Sequence, residues 1–250
     1  MPLRTTTTKL ATDSRLTLVD ALRGFAVAQM IVYHFIYDLS YFGWLNLAMT
    51  RDQPWVAWRT AIVTQFLLLV GVSLVLRTSF KPSPADFWKR WAQIAAAALL
   101  VSVGSWLVFG PRFIYFGILH FVAAALLMAR PLLRLGTGNV VLGTLCVVLG
   151  LIYANEFFNT PPATIVGFMT VKPRTEDYVP LFPWIGVVLI GVGLASRWQR
   201  AQWRVHTVLV PLNEGAPRWL LFLGTWPLTI YLLHQPVLLG LMTAVRKLGF

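Results

Sequence analysis

Long apolar stretches are the feature that most constrains this chain. Its 250 residues are 57% hydrophobic and only 12% charged, whereas a soluble domain carries roughly 25% charged residues. The unbroken runs do not fit the alternating pattern of a membrane β-barrel. We therefore predict an all-α, polytopic transmembrane bundle of about seven spans, with six or eight left open. The stretches long enough to cross about 30 Å of hydrocarbon lie near 18–38, 57–76, 90–109, 113–129, 138–154, 182–197 and 219–242.

The distribution of basic residues predicts the orientation. With the N-terminus inside, fourteen of the 21 Lys and Arg residues fall in cytoplasmic segments, and the other seven fall outside. The positive-inside rule therefore favours an N-in, C-out topology. The net charge of +12 is then mainly a signal directed at anionic lipid. No nucleic-acid partner is needed to explain it.

The polar N-terminal segment 1–14 includes four consecutive Thr residues, and we expect it to be disordered. Residues 15–250 are predicted to form a single transmembrane domain. The first span has no small-residue cleavage site after it, so we interpret it as a retained helix. The single cysteine, Cys146, excludes an intramolecular disulfide, and no His/Cys cluster has zinc-finger spacing. We expect no metal site.

Ionisable residues inside the first span are the first functional candidates, since such groups are costly in hydrocarbon. His34 lies eleven positions beyond Arg23, which is three helical turns plus roughly 20° and a rise of about 16 Å. The two side chains therefore share a face. Asp38, one turn beyond His34, is in position to orient its imidazole. Two alternatives stay open: Arg23 pairs with Asp20 as an anchor, or His34 is only a hydrogen-bond donor between helices.

Two further histidines have similar predicted depths. His120 is expected about 11 Å below the outer surface and His234, followed by Gln235, about 22 Å above the inner surface. We therefore expect both to converge with His34 in the outer half of the bundle. The alternatives are that His120 links helices by a hydrogen bond, and that His234 satisfies the backbone freed by Pro236.

A glycine-rich run, FPWIGVVLIGVG, holds Gly186, Gly191 and Gly193. Because no strand precedes it, the run predicts close helix packing and not a phosphate-binding loop.

Three runs carry a family resemblance: RLTLVDALRGFAVAQMIVYHFIYDL, VPLFPWIGVVLIGVGL and FLGTWPLTIYLLHQPVLL. They resemble bacterial members of the heparan-α-glucosaminide N-acetyltransferase catalytic-domain family. The resemblance covers most of 15–243, and the Arg23-to-His34 spacing is similar to a pattern of the wider membrane acyltransferase superfamily. Animal members act through a histidine in the loop after the first helix, which 39–56 lacks, so their substrate is not carried over.

The resemblance implies an integral acyltransferase of the bacterial inner membrane. It would move an acyl group, expected to be acetyl, from cytoplasmic acyl-CoA to an acceptor, expected to be a sugar, at the outer side. A histidine suits the general base, and cationic side chains suit the CoA phosphates. The implied catalytic residues are His34, Asp38 and Arg23, and the implied substrate- or cofactor-binding residues are Asp20, Lys89, Arg90, His120, His234 and Gln235. The bilayer and acyl-CoA are the expected partners.

A competing class is a non-enzymatic membrane protein. The same histidines suit a proton-coupled transporter or a haem b electron carrier. A haem carrier would show a Soret band, and transporters often carry corresponding broken helices in two halves, whereas the sequence shows no internal repeat. The sequence leaves open which histidine is the base, which acceptor is used and what the oligomeric state is.

The predicted orientation is testable by cysteine labelling in intact cells. A cysteine placed in 77–89 is expected to be shielded from an impermeant thiol reagent, whereas one in 160–178 is expected to react, because the Lys and Arg bias puts them on opposite sides. Labelling in the reverse order would overturn the orientation.

Overall fold

The computed structural model describes residues 4–80, 83–205 and 207–248. Regular structure in these ranges is helical throughout, which confirms the all-α class. Residues 1–3 of the predicted disordered segment lie outside the described residues, and disorder over 1–14 stays a prediction. The helices are α1 (Arg4–Tyr41), α2 (Gln53–Phe80), α3 (Pro84–Phe109), α4 (Ile118–Leu132), α5 (Asn139–Ile152), α6 (Leu181–Arg200), α7 (Val210–Gly215), α8 (Arg218–Thr225) and α9 (Pro227–Lys247).

Six helical stretches in the described ranges are long and apolar enough to cross a membrane, close to the predicted seven. The difference arises at the predicted fourth and fifth spans, which form one stretch of 35 residues. Within it, α4 and α5 are joined by a short 3₁₀ segment in which Gly136 has a φ of +54°. The stretches are Thr17–Tyr41, Gln53–Phe80, Pro84–Arg112, Ile118–Ile152, Leu181–Arg200 and Pro227–Lys247.

The last predicted span is interrupted. Trp226 has φ −113° and ψ 40°, which separates α8 from α9. The cause is Pro227, since proline has no N–H to donate and disfavours helical geometry in the residue before it. The prediction of one continuous helix over 219–242 is therefore wrong at this point. The membrane depth of His234 stays a prediction.

The chain divides into two compact units. The first contains residues up to Phe66 together with those from Trp203 onward, and the second contains Leu67–Gln202. Accordingly, the first unit holds α1, the first half of α2, and α7 to α9. The second holds the remainder of α2 and α3 to α6.

In the second unit, α6 packs against α5 through glycines. A Cβ atom at Gly143 would lie 2.5 Å from the carbonyl oxygen of Gly186, and one at Gly193 would lie 2.6 Å from Val140 Cγ2. A Cβ at Gly191 would collide with the carbonyl of Leu68 in α2. Small residues let helix backbones approach closely inside a membrane. The predicted packing role of these α6 glycines is confirmed.

The long loop before α6 is folded against the segment that leads into α4. Thr175 Oγ1 donates to the Phe113 carbonyl at 2.7 Å. The backbone N–H of Ile118 donates to Asp177 Oδ2 at 2.9 Å. A carboxylate at this place satisfies a free donor of the first turn and interacts favourably with the helix dipole. The loop therefore fixes where α4 begins.

A tyrosine pair closes the same loop. The hydroxyl of Tyr178 donates to the Thr164 carbonyl, and Tyr115 Oη lies 3.0 Å from Thr164 Oγ1. Burial, together with the nearby Tyr115, raises the pKa of Tyr178. Its hydroxyl therefore remains a protonated donor through the physiological pH range.

In the first unit, α1 and α8 touch backbone to backbone. A Cβ atom at Gly24 would collide with the carbonyl of Leu220, and one at Gly224 would collide with the carbonyl of Asp20. Both glycines are therefore needed for this approach, which fixes α8 on the N-terminal half of the predicted first span.

Gly186→Ala is expected to lower the melting temperature, because the added methyl has no space against α5 and overpacking costs about 1–3 kcal/mol. The matched control is Gly104→Ala in α3, where a Cβ atom would have no heavy atom within 4 Å. The control is expected to be neutral or stabilising, since alanine favours helix. Equal melting temperatures for both variants in detergent would contradict the packing assignment.

Candidate functional site

Four polar side chains meet in the first unit. His34 and Asp38 come from α1, and His234 and Gln235 come from α9. The imidazole centroids of His34 and His234 lie 5.0 Å apart with an interplanar angle of 64°. Gln235 Nε2 donates to Asp38 Oδ1 at 3.5 Å. We call these four residues the His34/His234 cluster.

Helical spacing explains why α1 contributes two members. Residues four positions apart lie on one face of a helix, one turn above each other. His34 and Asp38 have this spacing, and Asp38 is only 1% exposed. On α9, His234 and Gln235 are adjacent, and His234 is 9% exposed.

The ring of His234 is held in a defined state. Its Nδ1 lies 2.6 Å from the Tyr231 carbonyl oxygen. A carbonyl only accepts, so Nδ1 carries the proton, and in a neutral imidazole Nε2 then has the free lone pair. One ring nitrogen thus binds the preceding turn, but at the Tyr231 carbonyl and not at the Leu232 carbonyl that Pro236 leaves without its helical donor. The structural alternative for His234 therefore stays a prediction. The other nitrogen is left to accept a proton or a hydrogen bond.

The cluster concentrates unsatisfied polar atoms. Within the described ranges, its four atoms His34 Nδ1, Asp38 Oδ2, His234 Nε2 and Gln235 Oε1 are buried without a hydrogen-bond partner. Buried polar atoms are normally paired, and each unpaired one costs about 1–3 kcal/mol. Only two other side-chain atoms in these ranges share this condition, and both belong to asparagines. This concentration makes the cluster the candidate site of the first unit.

Arg23 forms an ion pair on α1. Its Nη1 lies 2.6 Å from Asp20 Oδ1 and donates to the Gly224 carbonyl at 2.9 Å. These contacts tie α1 to α8, as the anchoring alternative requires. The predicted role of Arg23 and Asp20 toward acyl-CoA stays a prediction.

His120 lies in the second unit and is fully engaged there. The Gly117 N–H donates to His120 Nδ1 at 3.3 Å, so Nε2 carries the proton and faces Ser102 Oγ at 2.9 Å. The Ser102 hydroxyl then donates to the Ile114 carbonyl at 2.7 Å. The ring therefore links α3 to the start of α4, which agrees with the structural alternative for His120. Its role in substrate binding stays a prediction.

The two cations predicted for CoA binding also lie in the second unit. Lys89 is exposed, and Arg90 is half-buried and donates to Gln93 Oε1 at 3.3 Å. Their role stays a prediction.

A polar network between α1 and α2 was missed by the sequence analysis. Gln29 Nε2 donates to Gln65 Oε1 at 2.9 Å, and Gln65 Nε2 donates to the Leu22 carbonyl at 3.2 Å. Trp58 Nε1 completes it by donating to Gln29 Oε1 at 3.2 Å. Gln65 stands in the apolar run IVTQFLLLV, and this isolated polar residue was the available signal. Because each amide atom is paired, the network stabilises the helix pair.

The haem alternative is a poor fit to the cluster. A bis-histidine haem holds its porphyrin between two imidazoles. The rings of His34 and His234 are instead in direct edge contact, which leaves no gap for a macrocycle between them.

Asp38→Asn is expected to leave the melting temperature unchanged or to raise it, because one oxygen of the buried carboxyl group has no partner. Asp20→Asn is the matched control and should lower it, since that carboxylate is paired with Arg23. The measurement is thermal unfolding in detergent. If Asp38→Asn lowers the melting temperature as much as Asp20→Asn does, Asp38 has a structural role.

The comparisons with known proteins agree with the sequence resemblance. The chain matches the family described as "Heparan-alpha-glucosaminide N-acetyltransferase, catalytic" over residues 15–236. No protein with a curated description and no solved structure matches it. The matched range includes all four residues of the His34/His234 cluster and most of both compact units. The chain therefore belongs to the heparan-alpha-glucosaminide N-acetyltransferase catalytic-domain family, which is a family of acetyltransferases.

Proposed function

We propose that this protein is an acyltransferase of the bacterial inner membrane. It transfers an acyl group, in our proposal acetyl, from cytoplasmic acyl-CoA to a sugar acceptor at the outer side, and residues 15–250 act as one domain. Family membership supports the reaction class. The single observation that carries the choice of site is the set of four buried, unpartnered polar atoms in the His34/His234 cluster.

The reaction needs a base beside the acceptor. As the acceptor oxygen or nitrogen attacks the thioester carbonyl, its proton must leave, and the CoA sulfur departs as the carbon–sulfur bond breaks. Histidine suits this proton transfer near neutral pH. We assign the base to His34, because Asp38 lies one turn away and its carboxylate would stabilise the imidazolium that forms. His234 Nε2 accepts a hydrogen bond from the acceptor and orients it.

The unpartnered atoms also favour a class of acceptor. Asp38 Oδ2 only accepts when ionised, and Gln235 presents its carbonyl oxygen because its amide nitrogen faces Asp38. His234 Nε2 is an acceptor by its tautomer. Three of the four atoms therefore accept, and they would be satisfied by a ligand that brings several donors. Hydroxyl and amino groups of a sugar meet this requirement.

The acyl-CoA side is assigned to cationic residues. Arg23 in the first unit, and separately Lys89 and Arg90 in the second, are each assigned charge-assisted hydrogen bonds to a phosphate of acyl-CoA. Asp20 would position the Arg23 guanidinium, to which it is paired. The guanidinium fork matches phosphate geometry better than an ammonium group does.

Incubation of the purified protein with acetyl-CoA and a panel of sugars tests the proposal through release of free CoA. We expect sugar-dependent release in the wild type. His34→Ala should lose about 10²-fold or more of this turnover, the usual scale for removal of a general base. Expression should be largely retained. Wild-type turnover in His34→Ala, with a loss in His120→Ala or His234→Ala, would assign the base elsewhere.

Arg23→Ala is expected to raise the apparent KM for acyl-CoA much more than the KM for the acceptor. Arg23→Lys should restore the KM for acyl-CoA only in part, because lysine cannot form the bidentate contact of a guanidinium group. The control is the charge swap Asp20→Arg with Arg23→Asp, which retains an ion pair but moves the cation. If the swap restores both folding and acyl-CoA affinity, Arg23 is only an anchor.

A further inference from the structure

The second unit contains a cavity that none of the residues assigned to the acyltransferase reaction lines. It lies between the start of α5 and the end of α6 and has a volume of about 620 Å³. This is within the size range of small-ligand pockets. The lining residues are Thr137, Val140, Gly193, Leu194, Arg197, Arg200 and Ala201.

Two arginines give this cavity its charge. Arg197 and Arg200 are three positions apart on α6, so their side chains are neighbours. The lining includes no carboxylate, and neither arginine forms an ion pair with any residue in the described part of the chain. Like charges at this spacing destabilise a helix. An anion between them would remove the repulsion.

The turn beside the cavity lies against the guanidinium of Arg200. Gly136 has a φ of +54°, a conformation that side-chain-bearing residues rarely adopt. Arg200 Nη2 lies 3.4 Å from the position that a Cβ atom on Gly136 would occupy. Asn139, 0% exposed, holds the turn by donating from Nδ2 to the carbonyls of Leu132 at 2.8 Å and Gly136 at 3.0 Å. The arginine is therefore set against a fixed turn.

We propose that this cavity binds a phosphate ester. The two guanidinium groups supply paired donors of the geometry that phosphate oxygens prefer, and the Thr137 hydroxyl adds another. Two sources share this chemistry: the phosphates of a CoA molecule and the headgroup of an anionic phospholipid. The inference does not depend on the His34/His234 cluster, since its test measures binding and not acyl transfer.

The experiment compares Arg197→Gln/Arg200→Gln with the control Arg134→Gln/Arg218→Gln. The control removes the same charge from two exposed arginines outside the cavity. One arm titrates each protein in detergent with CoA and with pantetheine, which has no phosphate. The other arm measures enrichment of phosphatidylglycerol over phosphatidylcholine on each protein in mixed micelles. Thermal unfolding confirms that both variants are folded.

We expect the cavity variant to lose about tenfold or more of its affinity in one arm, the scale of losing a charge-assisted hydrogen bond. Loss in the CoA arm identifies a nucleotide phosphate, and loss in the lipid arm identifies a headgroup. If the cavity variant equals the control in both arms, the proposal is overturned, whether or not the protein transfers acyl groups.

Discussion

Backbone contact at glycine is the interaction on which both compact units depend. In hydrocarbon, the apolar side chains of two helices gain little by touching, because lipid tails are equally apolar. Helices therefore gain most where they approach closely. Gly24 and Gly224 permit this between α1 and α8, and Gly143 and Gly186 permit it between α5 and α6. The hydrogen bonds of Arg23 reinforce the first contact.

The His34/His234 cluster works against stability. Evolved proteins tolerate unsatisfied buried groups mainly where function requires them, and they compensate elsewhere. On the same helix, by contrast, both the amide nitrogen and the amide oxygen of Gln29 are hydrogen-bonded, to Gln65 and to Trp58. One helix thus carries a fully satisfied network next to an unsatisfied one. This contrast separates residues that stabilise the fold from residues that we propose bind the acceptor.

The sequence predicts the helical class, the approximate number of spans and the packing role of the α6 glycines, because hydropathy and small-residue spacing are local signals. It also nominates all four members of the cluster, since polar residues in apolar runs are easy to see. It does not predict that His120 is engaged by Ser102 and Gly117, or that Asp177 caps α4. Those contacts join positions far apart in the chain or depend on the tautomer of a ring. The hydrophobic periodicity of a sequence carries no information about either.

The break at Trp226 decides which residues face α1. Gly224 and His234 are ten positions apart, and in one continuous helix they would point about 80° away from each other. A single straight helix could therefore not make both the Gly224 contact and the His234 contact with α1. Interrupting the helix makes the rotation of α9 independent of that of α8. Both residues then reach α1, Gly224 against Asp20 and His234 against His34.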